Sequence, residues 1–317
     1  MRRMAVLLVL DAIVVAAIVV AFFELHPHRG VRTVRTGVVL VDANLGHGIR
    51  TEGTGVLLTS HGELLTNNHV IDGALSVHVF VPQTHRRYRA RVLGYDVGGD
   101  TAVLQLDGAH GLHTVVPVLR PARLGQQVIA VGGSTGAIAY SIGNVTQVRA
   151  RVTADDELGR SQKLQGLIEF DAEIEPGDSG GPLLDRDGHV IGLNTAGVTR
   201  ADFFTGRKTH VSFAIPIAPA LAVADAVVHG HAPARVHVGP TAYLGVVFGT
   251  GSTVAVVLPG SPAERAGIAA GARLAASPAA LQALLLRKHP GDRIPLVWAD
   301  AAGSHRAVVA LGRGPAL

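Results

Sequence analysis

The chain has 317 residues, enough for about two domains with hydrophobic cores, and its 48% hydrophobic content excludes a disordered chain. It contains no cysteine, which rules out disulfides, thiolate nucleophiles and cysteine-based zinc sites together. The formal net charge of +4 is too modest, and the arginines too scattered, to imply a nucleic-acid partner.

Residues 1–3 form a short basic tip. The apolar run MAVLLVLDAIVVAAIVVAFF, residues 4–23, would span about 30 Å as a helix, the thickness of a bilayer core. A secretory signal usually has an apolar stretch of only about 7–15 residues. The run therefore predicts an uncleaved transmembrane anchor, although Val19 and Ala21 would suit cleavage after Ala21. Arg2 and Arg3 precede it and Arg29, Arg32 and Arg35 follow, so charge does not decide its orientation. Residues 24–35 read as a polar linker.

From residue 36 to 229, short apolar runs such as TGVVLVDA, ELLTNNHVI, AVLQL, GLIEFDA, GHVIGLNTA and HVSFAIPI alternate with Gly, Asp, Asn and Ser. Many short strands with turn signals between them predict an all-β barrel or sandwich. Within HRRYRAR (85–91), Arg87, Arg89 and Arg91 fall on one face at strand period, and this reads as a solvated strand face. IAPALAVADAVVHG has apolar residues at helical spacing and predicts a helix ending at Gly230. Residues 230–240 are a Pro/Gly linker.

Residues 241–317 have a different grammar. Strands YLGVVF and STVAVVL precede SPAERAG, where Ser261 is the N-cap, Pro262 the first helical residue, Glu264 the partner in a capping box and Gly267 the stop. A second capped start, SPAALQALLLRKHPG, carries Leu281, Leu284 and Leu285 on one face, and strands RIPLVWA and HRAVVAL finish a small α+β module. Neither HPH (26–28) nor HGH (229–231) belongs to a recognisable ligand set, so no metal and no other cofactor is expected.

The chemistry centres on EPGDSGGPL, residues 175–183, where Ser179 is either a nucleophile or a small residue in a glycine-rich turn. The stretch satisfies G-x-S-x-G, but that elbow needs a helix after the serine and the order Ser, acid, His. Here PLLDRDGHVIGL reads as strand, turn, strand, which argues against it. The opposite order, His, Asp, Ser, is available in His69 of TNNHV and Asp100 of GGDTAVLQL, each beside an apolar strand. With 16 histidines and 24 acids in the chain, order alone selects no pair.

The stretches GTGVLLTSHGELLTNNHVI, YDVGGDTAVLQL, FDAEIEPGDSGGPLLDRDGHVIGLNTA and SFAIPI resemble, in order and spacing, the protease domain of HtrA (Deg) serine proteases. YLGV, LPGSPAERAGI and SPAALQALL resemble the PDZ domain that follows it, and one anchor, one protease domain and one PDZ domain resemble the DegS-type branch. The resemblance implies a mainly β chain: a chymotrypsin-like double β-barrel at 36–229, a linker at 230–240 and a shortened α+β PDZ-like domain at 241–317. It implies that Ser179 attacks the scissile carbonyl, His69 relays the proton and Asp100 orients the imidazole. The backbone of Gly177, Asp178 and Ser179 would form the oxyanion hole.

By the same resemblance Glu173, Ile174, Thr195, Ala196, Gly197 and Phe213 border the first specificity pocket, which implies an aliphatic preference. Two departures leave a basic or mixed preference open. Glu173 stands where the family has a small residue and where trypsin-like enzymes carry their acidic pocket base, and Gly197 replaces a bulkier aliphatic. At Asp178 the family more often has Asn, so this acid is expected to pair with a local donor. Tyr243, Leu244, Gly245 and Val246 fit a carboxylate-binding loop for peptide C-termini. Only ARLAA separates Gly271 from Ser277, so a central strand of that domain should be lost or shortened.

The reading is a membrane-tethered, extracytoplasmic serine endopeptidase acting on unfolded or exposed protein segments. A homotrimer is implied by the family, although residues 24–40 lack the aromatic residues of its trimerising segment. The rival is a non-catalytic scaffold that keeps the protease fold. A missing triad residue would mark it, and all three are present.

Overall fold

Successive side chains of β1 (Val38–Gly46) enter two different cores. Val38 and Leu40 point into one, Val39, Val41 and Ala43 into the other. The same alternation holds for Val56 against Leu57 in β2 (Ile49–Leu57), and for Leu65 against Leu64 in β3 (Glu63–Thr66). A strand buried on both faces reads as a near-continuous apolar run, as VVLV at the start of β1 does. The computed structural model describes residues 34–46, 49–133, 137–155, 161–201, 208–233 and 235–314. The expected anchor at 4–23 lies outside them, and among the described residues no helix is long and apolar enough to cross a membrane.

A single turn, α1 (Asn68–Ile71), leads into β4 (Ser76–Val81), β5 (Arg86–Asp96) and β6 (Thr101–Leu106). The antiparallel order is β5-β4-β1-β2-β3-β6, and β6 pairs back onto β5 from Ala90↔Leu106 to Asp96↔Thr101, closing a ring. The arginine face of β5 is exposed as expected. Arg87 pairs with Asp42, and Arg91 with Asp107 at 2.7 Å.

The second ring is a closed barrel of β7 (Gln127–Gly132), β8 (Ala139–Asp155), β9 (Ser161–Phe170), β10 (Pro182–Leu184), β11 (Val190–Ala201) and β12 (Lys208–Pro216), in the order β10-β11-β12-β9-β8-β7. Its own interior holds Val128, Ile168, Phe170 and Leu183. A larger core, with Val56, Leu65 and Val103 from the first barrel and Leu193, Phe213 and Ile215 from the second, joins the two. The helix α2 (Ile217–His229) buries Ile217, Ala220, Val223, Ala224 and Val227 in that shared core and ends at Gly230 (φ 70°), as its sequence predicts. The mainly β, double-barrel expectation therefore holds.

After α2 the chain adds β13 (Val236–Val238) to β5 and enters a smaller unit. That unit contains β14 (Ala242–Tyr243), β15 (Val246–Phe248), β16 (Val254–Val257), α3 (Pro262–Arg265), β17 (Arg273–Leu274), α4 (Pro278–Leu285), β18 (Arg293–Asp300), β19 (Gly303–Ala310) and β20 (Gly312–Arg313). Its core gathers Leu244, Ala263, Leu281, Ile294 and Trp298. Ser261 and Ser277 cap the two helices, accepting from the N–H groups of Glu264 (3.1 Å) and Ala280 (3.2 Å). The Glu264 carboxylate reaches back to Gly260 N–H, one residue earlier than a capping box requires. Between Gly271 and Ser277 only the two-residue β17 forms.

Candidate active site

The junction of the two barrels collects the chemistry. The turn α1 carries His69, and its preceding residue Asn67 donates through Nδ2 to the Asp100 carbonyl (2.9 Å), tying the histidine turn to the start of β6. Asp100 has φ 46°, a left-handed conformation that aspartate tolerates better than most residues, and its side chain is fully buried. Its Oδ1 accepts from the His69 backbone N–H at 3.0 Å, and its Oδ2 from His69 Nδ1 at 2.9 Å. Because an ionised carboxylate only accepts, the proton of this pair lies on Nδ1. A third donor, the Thr195 hydroxyl, reaches the same Oδ2 at 2.5 Å.

Thr195 reaches that carboxylate because β11 bulges there. Asn194 pairs with Ala214 and Ala196 with Phe213, so Thr195 has no partner on β12 and its side chain is re-aimed. The sequence placed Thr195 at the pocket wall. Its hydroxyl belongs to the histidine–aspartate pair. That contact spans 95 positions, and no local signal in the sequence announces a bulge.

Ser179 comes from the second barrel and is locked to the first. Its carbonyl accepts from Thr54 N–H (2.8 Å), and its Oγ lies 3.4 Å from the Thr195 carbonyl oxygen. Gly180 (φ 84°) makes this approach possible, since a Cβ there would sit 2.2 Å from the Thr54 carbonyl oxygen. The Thr54 hydroxyl donates to the Gly177 carbonyl at 2.7 Å and accepts from Gly133 N–H at 3.1 Å. Sequence reasoning missed Thr54, whose role depends on barrel docking. Among the described residues, the N–H groups of Gly177 and Ser179 have no acceptor.

Asp178 pairs locally: its Oδ2 accepts from Glu175 N–H at 2.9 Å, while its own N–H donates to the Glu175 carbonyl at 3.0 Å. Burial pushes its carboxyl above the usual carboxylate range, against the pull of the Glu175 N–H, and the nearby Glu175 charge adds to the rise.

Residues 53–193 match the trypsin-like peptidase domain. The chain is 34% identical over 239 residues to the probable periplasmic serine endoprotease DegP-like of Marinomonas sp., across 69% of this chain and 46% of that protein. It is 30% identical over 303 residues to the serine protease PepD of Mycobacterium tuberculosis, across 87% of this chain and 64% of that protein. The crystal structure of the serine endoprotease from Yersinia pestis aligns with a TM-score of 0.52 and 26% identity, covering 90% of this chain and 96% of that one. The chain belongs to the HtrA family of serine proteases. It spans roughly half to two thirds of the length of these curated relatives, 46% and 64%.

In this HtrA chain the expected pocket residues divide. Ile174 is half-buried and packs on exposed Gly197, where a Cβ would lie 3.2 Å from Ile174 Cγ1. Ala196 is partly buried against the shared core, and Phe213 is wholly buried in it, so Phe213 offers no side-chain surface to a ligand. Glu173 is 58% exposed, with its carboxylate 3.6 Å from His210 Nε2 and its carbonyl accepting from the Ser141 hydroxyl. Its charge faces solvent rather than a closed pocket base.

In the C-terminal unit Tyr243 is half-buried, and burial pushes its phenol up. Leu244 is buried, and Gly245 has φ 89°, with Ser261 Cβ only 2.1 Å from where a Cβ would stand. The Leu244 and Gly245 carbonyls accept from Ala263 and Leu258, while among the described residues the N–H groups of Leu244 and Gly245 have no acceptor. Val246 begins β15, which pairs only with β16 among the described strands.

One potential metal-ligand group is present among the described residues: Asp185, Asp187 and His189 bring ligand atoms within 4.8 Å of one another on the β10–β11 turn. Asp185 Oδ1 accepts from both the Asp187 and His189 N–H groups, which accounts for the grouping as a closed turn.

Proposed function

We propose that the chain is a serine endopeptidase that cleaves unfolded or exposed segments of extracytoplasmic proteins. The observation that carries this reading is the buried Asp100 carboxylate, which takes three hydrogen bonds from His69 and Thr195 beside the Ser179 loop. With Nδ1 held by Asp100, Nε2 is the nitrogen left to take the Ser179 proton as Oγ attacks the scissile carbonyl. The imidazolium formed in that step is stabilised by Asp100, and it then protonates the leaving amine. The unpaired N–H groups of Gly177 and Ser179 suit the developing oxyanion, a role in which losing one donor typically costs about 100- to 1,000-fold in rate.

Ile174 packed on Gly197, with Glu173 turned to solvent, supports an aliphatic first-pocket preference over a basic one. The C-terminal unit is read as a shortened PDZ-like domain. The unpaired amides of Leu244 and Gly245 would cradle a peptide carboxylate, and the open edge of β15 would accept the peptide as a further strand. Residues 4–23 would hold the enzyme at a membrane, and a homotrimer is the assembly the family suggests.

The test compares cleavage of an unfolded protein by the full chain and by its Ser179→Ala variant. Loss of cleavage in the variant is expected, and equal cleavage by both overturns the assignment. Mapping the cut sites then decides the pocket: cuts after valine, leucine or isoleucine fit the reading, and cuts after lysine or arginine do not.

A further inference from the structure

A cleft of about 640 Å³ runs between the first barrel and the C-terminal unit. Strand pairing explains why it exists. On the side of β5 opposite β6, β4 pairs only as far as Ala90, and β13 joins only from Gly94. Between them that edge of Arg91–Leu93 has no strand partner among the described residues, with the Leu93 carbonyl accepting from Gly239 N–H (2.7 Å), and the linker and β20 roof the gap.

We propose that this cleft is a second peptide site, which takes an extended internal segment bearing a carboxylate among aliphatic side chains. Besides Arg91, two arginines line it from different units, Arg89 on β5 and Arg313 on β20. Both are exposed, and among the described residues neither has an acidic partner, whereas the neighbouring Arg91 is engaged by Asp107. Two large apolar side chains that the fold leaves in solvent also border the cleft, Leu75 (62% exposed) and Val228 (47% exposed), with Val92 and Val238 between them. Unpaired arginines beside exposed aliphatics complement an acidic, aliphatic peptide. A polyanion fits less well, because half of the wall is apolar and Glu63 also lines it. The site is separate from the Tyr243–Val246 loop and needs no peptide C-terminus. A carboxylate spanning Arg89 and Arg313 ties the C-terminal unit to the barrel that carries His69 and Asp100.

The test uses the full chain carrying Ser179→Ala, which prevents cleavage and makes the result independent of the proteolytic reading. The probe is a peptide of alternating valine and glutamate, fluorescein-labelled at its N-terminus and amidated at its C-terminus, followed by anisotropy. Saturable binding is expected, weakened roughly tenfold by Arg89→Glu and by Arg313→Glu, because each reverses one exposed charge contact. Arg293→Glu, exposed on β18, should leave affinity unchanged, and a valine–lysine probe should not bind. Arg89→Gln and Arg313→Gln should shift affinity in the same direction by less, which separates charge from any fold defect. Unchanged affinity in either arginine pair of variants overturns the proposal. So does displacement of the probe by a peptide with uncharged side chains and a free C-terminus, which would place it in the Tyr243–Val246 loop.

Discussion

At the barrel junction, Asp100 receives donors from α1 and from the bulge in β11, Asn67 ties α1 to the Asp100 backbone, and Thr54 holds the Ser179 loop from β2. The supporting strands belong to rings closed by strand pairing. The C-terminal unit is built differently. Its strands form two-stranded and three-stranded sheets, β17 has two residues, and among the described strands β15 is paired on one edge only. Closed rings fix groups that are far apart in sequence to the tolerance chemistry needs. Short sheets with an open edge give up that precision and keep backbone available for a ligand strand. The two regions should therefore respond differently to substitution, the first through rate and the second through docking and binding.

The largest effect is expected at Asp100. Asp100→Asn keeps the shape but can no longer accept from both the His69 ring and its neighbours, and kcat on an unfolded protein should fall by about 10⁴. The peptide binding proposed for the C-terminal unit should not change. Comparable loss in both would show that the regions are not independent. Next is Thr195→Val, which removes one hydrogen bond to a buried charge, worth about 1.5–3 kcal/mol, or roughly tenfold to a hundredfold in kcat/KM. Thr195→Ser should restore activity and the pH profile. If Ser fails as Val does, the threonine acts through packing of the bulge and not through its hydroxyl.

The contrast between Thr195 and its neighbours shows what the sequence could carry. Strands with two-residue alternation and the helix α2 with its Gly230 stop were legible, because burial on one or both faces imposes those periods directly. His69, Asp100 and Ser179 stood out through the wording around them. The role of the Thr195 hydroxyl was not legible, because its direction depends on a register slip between β11 and β12. Of the other residues expected at the pocket, Phe213 is buried in the shared core and the Glu173 side chain is turned to solvent. Thr54 was invisible because its partners, Gly177, Gly133 and Ser179, lie far away in sequence on the second barrel.

A smaller effect should follow from loosening the joint between the regions. His237 is buried on β13, with Nδ1 2.9 Å from the Leu286 carbonyl oxygen and Nε2 3.2 Å from that of Pro240. Its ring stacks between Tyr95 of the first barrel and His289 of the C-terminal unit, 5.0 and 5.6 Å away. Tyr95 also meets Thr241 through its hydroxyl. His237→Ala should weaken docking by about 1–2 kcal/mol, the worth of one or two hydrogen bonds. Faster amide exchange at Leu286 and nearby residues, with the barrel strands still protected, is the expected signature. Equal protection in both proteins would show that β13 pairing alone holds the joint.

The smallest effect is expected at Asp178, and its sign depends on pH. Burial raises this carboxyl above its ordinary value of 3.8, so the folded protein holds the proton more tightly than the unfolded chain does. Stability from this group is therefore greatest at low pH and declines as pH rises through the raised value, where a partly buried charge must form next to Glu175. Asp178→Asn removes that charge and keeps an oxygen acceptor for Glu175 N–H. The variant should be more stable than the parent at neutral pH, by less than about 1 kcal/mol because the group is partly screened by solvent. The difference should shrink as the pH is lowered toward about 4, where the parent carboxyl becomes neutral as well. Thermal unfolding at the two pH values reads both the sign and the trend. A difference that does not vary with pH would mean that Asp178 acts through its hydrogen-bonded shape alone, and that the junction tolerates the charge at no cost.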